Sequence, residues 1–198
     1  MNAEIESDDP GRPDEASEKG PEKGLEVDAD GVPASVQALV LPSGRFEGRH
    51  AFAQLVRDVL ACAARDGWNQ IVLADSNFED WPMNERSVVE SLHSWSKTGR
   101  HITLLAHSFE AVMRKQPRFV SWRKTWSHII ECRQCRQADP LDFPSAIWSR
   151  SWAMQRINLP LCQGVSGAQA ERRIHLRELL DEKIRNSSPG FPASVLGL

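Results

Sequence analysis

Several things this chain lacks narrow its function before any residue is singled out. No apolar run approaches the roughly 18 residues that a membrane-spanning helix needs, so no membrane span is expected. The opening MNAEIESDDPGRPDE has neither the basic start nor the apolar stretch of a secretory signal. With four cysteines and no such signal, reduced thiols and a cytoplasmic location are the expectation. There is no Walker-type or dinucleotide glycine fingerprint, no HExxH, and no serine in a nucleophile-elbow motif. No cofactor is therefore expected. Tyrosine is absent while seven tryptophans are present. Trp81, Trp148 and Trp152 fall at turns or in a hairpin, where a large flat ring can sit in the core or seal a dimer contact.

What is present is unevenly distributed. Residues 1–35 hold 11 Asp/Glu against three Lys/Arg, whereas the remainder carries an excess of five positive charges, giving the net −3. The first segment is rich in Pro, Gly and Ser and poor in large apolar residues. Such a chain buries too little apolar surface to offset its ordering entropy, so 1–35 reads as a disordered acidic tail before one domain, 36–198. An acidic arm of this kind can solubilise the body or screen a basic surface on it.

The body alternates short apolar runs with amphipathic stretches. VQALVL (36–41) reads as a strand ended by Pro42-Ser43-Gly44. Phe52, Leu55, Val56, Val59, Leu60 and Ala63 form the stripe of a core-facing helix that Gly67 closes. NQIVLA (69–74) is apolar on both faces, as a strand covered by helices on each side must be. Val88, Val89, Leu92 and Trp95 mark a second helix ended at Gly99, and HITLLA (101–106) a third strand. Helical stretches on either side of Pro117, a strand at HIIECR (128–133) and a hairpin over 145–157 follow. Ser166 and Gln169 form a capping box for a last helix from Ala168 to about Asn186. The order predicts an α/β fold: a three-layer domain with a mainly parallel sheet flanked by helices and an antiparallel hairpin at one side.

Candidate sites follow from this frame. Asp75 ends a parallel strand, the place where open α/β sheets bind ligands. It can equally oppose the dipole of a following helix, with Pro82 in that helix's first turn. His107, past the next strand, is placed to face Asp75 as an acid–base pair. Arg114, Lys115, Arg118, Arg123, Lys124, Arg133 and Arg136 are interleaved with Phe119, Trp122 and Trp126, a composition suited to nucleic acid or another polyanion. The i, i+3, i+7 spacing of the aromatics also fits a core-facing helix, with the basic residues on its solvated side. Gly164-Val165-Ser166-Gly167 with Arg172 and Arg173 is a weaker anion signal at a helix start. His128, Cys132 and Cys135 are possible metal ligands, but four convergent donors are lacking, and buried structural thiols fit better.

LADSNFEDW, GRHITLLA, PRFVSW, SAIWSRSWAMQR and ERRIHLRELLDEKIRNSSP together give a pattern that resembles one half of a phospholipase D-type domain over about residues 36–190. That family requires a His nucleophile, a Lys two residues on and an Asp further along. Those positions fall on Asp142, Pro144 and Ser149, and none matches. The resemblance implies the scaffold without the phosphodiesterase site. Because active members combine two halves, it also implies a homodimer. The expected function is a non-catalytic binding module with a basic-aromatic surface. The alternative is a phosphate-ester hydrolase or transferase built on Asp75, His107 and Arg173.

Overall fold

Ile71, Val72, Leu73 and Ala74 are all fully buried, as consecutive residues can be only when both faces of their strand are covered. They form the middle of β2, near the centre of an eight-stranded sheet. The computed structural model describes residues 40–98 and 100–192. Its elements are β1 (Gly44–Phe46), α1 (Arg49–Asp66), β2 (Gln70–Asp75), α2 (Arg86–Ser96), β3 (His101–Ala106), α3 (Glu110–Lys115) and α4 (Pro117–Thr125). After these come β4 (Ile130–Gln134), β5 (Ser145–Ser149), β6 (Ala153–Asn158), β7 (Gln163–Gly167), α5 (Ala170–Arg185) and β8 (Ser188–Pro189).

Side-chain alternation divides the core between two layers of helix. Ile71, Leu73, Ile102, Leu104, Cys132, Ile147 and Met154 pack with Phe52 and Val56 of α1, Leu92 and Trp95 of α2, Val112 of α3 and Phe119 and Trp122 of α4. Val72, Ala74, Leu105, Ala146, Trp148 and Ala153 turn to the other face, against Leu176 and Leu180 of α5. The three-layer α/β architecture is therefore present, with four helices on one side and one on the other. Gly67 caps α1 in the left-handed conformation (φ 71°), as its sequence position predicts.

The strand order is β1-β7-β6-β5-β2-β3-β4-β8. Only β2–β3 and β3–β4 are parallel; the other five pairings are antiparallel. The expectation of a mainly parallel sheet is thus corrected: the parallel part is the three strands β2, β3 and β4 toward the β8 side, and on the other side the hairpin β5–β6 continues into β7 and β1. GRF and QGVSG contain no apolar run to announce them. They are strands because of close packing: a Cβ on Gly164 would lie 2.4 Å from the Gln155 carbonyl and from the Phe46 ring, so only glycine lets β1, β7 and β6 approach. Ser166 lies on β7, where its hydroxyl donates to the Pro42 carbonyl (3.0 Å), and α5 starts only at Ala170. The capping box expected there does not form.

Of the strand expected at 36–41, only Val40 and Leu41 lie among the described residues, and neither is in a strand. The acidic segment 1–35 and Gly99 lie outside the described residues. Of the two expectations for Trp81, Trp148 and Trp152, the core is the one observed: all three are buried within the chain. Among the described residues, no helix is long and apolar enough to cross a membrane.

Candidate functional site

The sequence puts a guanidinium inside the protein. Arg156 lies on β6 with the same parity as buried Met154, which directs it to the face covered by α1. Its side chain is 2 % exposed and stacks 4.1 Å over the Phe52 ring. Its Nε donates to Ser145 Oγ on the paired strand β5 (2.7 Å). One terminal nitrogen donates to Asp75 Oδ2 at the end of β2 (2.7 Å) and to Asp80 Oδ1 (3.1 Å). The other donates to Asp80 Oδ2 and reaches Cys162 Sγ (3.8 Å). Burial alone would lower the Arg156 pKa; the hydrogen bond it donates to Asp80 and the charges of Asp75 and Asp80 outweigh it and hold it above the ordinary arginine value.

Asp75 is correspondingly fixed. Its Oδ1 accepts from the backbone N–H groups of Asn77 (3.1 Å) and Phe78 (2.9 Å), while Oδ2 takes Arg156. These bonds turn the chain at the strand end, where Phe78 adopts a positive φ of 55°. The helix-dipole reading of Asp75 is corrected, because α2 begins only at Arg86 and Pro82 lies in the preceding turns. A cleft of about 580 Å³ opens here, over Arg49, Ser76, Asn77, Glu79 and Lys115. Lys115 is ion-paired with Glu79 on its rim. Asp75 and Asp80 thus have their carboxylates bound by internal donors, an arrangement suited to tying β2, β5 and β6 together.

The acid–base pair expected from Asp75 and His107 is not formed. Asp75 turns toward β5 and β6, whereas the His107 Nδ1 lies 3.1 Å from the Cys135 carbonyl, beyond β4. Arg173, the third member of the alternative site, is on α5. Its side chain donates to the carbonyls of Ala168 (3.2 Å) and Arg150, and Arg172 donates to the Ser166 carbonyl (3.3 Å). These two arginines extend from the helix covering the opposite face from α3 and α4, so the predicted basic residues do not form one surface.

The metal candidates separate as well. Cys132 packs on the α1–α4 face with Arg123 Nε at 3.4 Å from its sulfur, and Cys135 packs on the α5 face with its thiol donating to the Lys183 carbonyl (3.2 Å). His128 is exposed. No group of three or more metal-competent side chains occurs among the described residues. All four cysteines are free and buried. Burial raises the Cys132 and Cys135 pKa values, and burial with the Asp66 hydrogen bond pushes Cys62 up to about 11. Because the thiolate is the reactive form, Ellman's reagent at about pH 8 is expected to label the native protein slowly and four thiols once it is unfolded. Rapid labelling of one native thiol would contradict this arrangement.

The basic segment divides cleanly. Arg123 is buried, 4.9 Å over the Phe191 ring, and is removed from any ligand-facing role. Arg114, Lys115, Arg118 and Lys124 are exposed on α3 and α4. Phe119 and Trp122 are core, as their spacing predicts, but Trp126 is only half-buried. It borders an open groove of about 500 Å³ between α2 and α4, lined also by Val89, His93, Ser121 and Trp122, with Arg86 and Arg118 on its margins.

In fold, the chain is similar to TrmBL2, an archaeal chromatin protein whose structure shows a novel mode of DNA binding. The TM-score is 0.57 at 11 % identity, over 80 % of this chain and 58 % of that one. At this identity the likeness is one of fold, and the chain spans less than two thirds of that protein's length. No protein-family model matches the chain, and no curated protein matches it in sequence.

Sequence reasoning passed over Arg156, Asp80, Ser145 and the α2–α4 groove. The signal for Arg156 was available: in AMQRIN, an arginine two residues after an inward methionine on a strand must face inward too. The groove left no such mark, because Val89 and Trp126 belong to helices remote in sequence.

Proposed function

We propose that this chain is a non-catalytic, phospholipase D-like binding module that engages nucleic acid or a similar polyanion through α3 and α4. The observation that carries the reading is the exposure of Arg114, Lys115, Arg118 and Lys124 on the successive helices α3 and α4, with Arg118 on the margin of a groove bordered by a tryptophan. Exposed cations on a folded scaffold attract phosphates and release their counterions. The similarity in fold to TrmBL2 supports the choice of ligand by analogy.

The absence of catalysis in this proposal rests on the residues at the family's positions. Asp142 is exposed and carries the wrong charge to meet a phosphodiester, and Pro144 has no cation. The Ser149 hydroxyl donates to the Trp152 carbonyl (2.8 Å) and accepts from the Trp152 N–H (3.0 Å), closing the β5–β6 turn. Pairing of two copies belongs to the same reading. Ile157 and Leu161, exposed in and after β6, offer apolar surface for it.

The test is a salt titration of binding to heparin and to single-stranded oligonucleotides between about 50 and 200 mM. Affinity is expected to fall steeply with salt. Changing Arg114, Arg118 and Lys124 together to glutamate is expected to weaken binding strongly and to flatten the slope by roughly two units. Binding by the triple variant equal to that of the parent would refute the assignment of α3–α4. Light scattering on the same samples is expected to give twice the mass of one chain; a single-chain mass refutes the pairing alone.

A further inference from the structure

Trp126 is set apart from the other aromatic residues of α4. Phe119 and Trp122 face the core, but Trp126, the residue that ends the helix, is half-buried and forms part of a surface row of rings. The His93 ring stands edge-on to it at 5.5 Å, and the His128 ring lies tilted to it at 5.9 Å. The indole N–H donates to His93 Nδ1 (3.3 Å), which fixes the orientation of the indole plane. The groove it borders has Val89 and Trp122 as apolar walls. Its α2 margin carries the Arg86–Glu90 ion pair (2.7 Å), and its α4 margin carries Arg118. Arg118 has no carboxylate partner among the described residues and is positioned through Asn84, whose side chain accepts from the Arg118 backbone N–H (3.0 Å) and whose carbonyl accepts from its guanidinium (3.2 Å).

We infer that the α2–α4 groove is a nucleobase site for single-stranded nucleic acid, with Trp126 as the stacking surface and Arg118 as the phosphate contact. A polyanion alone needs only exposed cations. An oriented indole beside an apolar trough adds a surface on which a base can stack, since every base has a π-face. A duplex keeps its bases stacked on one another, so only an unpaired strand can offer one to a groove of this size. Arg118 carries the charge complementarity: it lies on the margin of that trough and carries no internal ion pair.

This inference rests on the proposed binding of polyanions through α3–α4 and refines it, so the experiment separates the two. Full-length protein is titrated with oligothymidylate and with an abasic strand of equal length and charge. Oligothymidylate is expected to bind at least about tenfold tighter, the effect of stacking on an aromatic side chain. Trp126→Ala is expected to erase that difference, while Trp126→Phe retains most of it. Arg118→Gln is expected to weaken both strands. Equal binding of the two strands by the parent protein overturns the base site and leaves the polyanion reading standing. Failure of both strands to bind overturns both readings. The comparison of strands needs no variant, so a misfolded Trp126→Ala does not remove the test.

Discussion

Replacing Arg156 by methionine is expected to destabilise the fold by about 3–5 kcal/mol, the usual effect of removing one partner from a buried ion pair. The loss exceeds that of the hydrogen bonds themselves because of what remains. Asp75 is only 4 % exposed and would be left as a buried carboxyl group without its guanidinium partner, while Ser145 Oγ would lose its donor. Asp80, at 26 % exposure, can take up water instead and contributes less. Urea denaturation checks the size of the effect through a fall in midpoint at unchanged slope. Changing Asp75 to asparagine in the same chain is expected to recover much of the loss, since the amide carbonyl can still accept from Asn77 and Phe78 without leaving a buried charge. Arg156→Lys is not expected to substitute, because one ammonium cannot serve Ser145, Asp75 and Asp80 in three directions. A stability change below about 1 kcal/mol for Arg156→Met would mean that the cluster is solvated and that β6 is not tied to β2 in this way.

Trp95→Ala is expected to cost a comparable amount, about 3–5 kcal/mol, through the cavity left in the core between α2 and the sheet. Trp95 is 1 % exposed and packs in the cluster that includes α1, α2 and α4. Its indole donates to the Trp68 carbonyl (2.7 Å) just before β2. Trp95→Phe separates the two contributions. It keeps most of the buried area and loses a hydrogen bond whose acceptor is also approached by Arg100 (3.4 Å), so a change of about 1 kcal/mol is expected. Similar losses for the two variants would show that the hydrogen bond, and not the volume, dominates.

Elements that bury a continuous or periodic apolar face were legible in the chain. The stripe Phe52 to Ala63, the run IVLA and the run ITLLA each imply one structure, because burial of those faces is what stabilises it. Gly67 worked for a separate reason, since its αL geometry is local. The misses share a cause too. β1 and β7 have almost no apolar content and exist through backbone pairing and a glycine-permitted close approach, and the β1–β7 contacts join residues more than a hundred positions apart. Ser166 and Gln169 matched a capping box by local pattern, yet Pro42, 124 positions away, takes the Ser166 hydroxyl. Of the candidate site, Asp75 was correctly marked as the polar residue at the strand end. Its partner was not His107, because neighbouring strand ends do not reveal which direction a carboxylate turns. The exposure of Arg118 and the burial of Arg123, five residues apart on one helix, depend on which side of α4 meets Phe191.

The two flanks of the sheet are unusually brief, three residues in β1 and two in β8. A long bare flank offers a row of unsatisfied amides and carbonyls on which another molecule can extend the ladder, and that is a route to aggregation. Here each flank offers only a few such groups, and Pro189 in β8 withholds one more. Self-templated growth from either side is thereby discouraged.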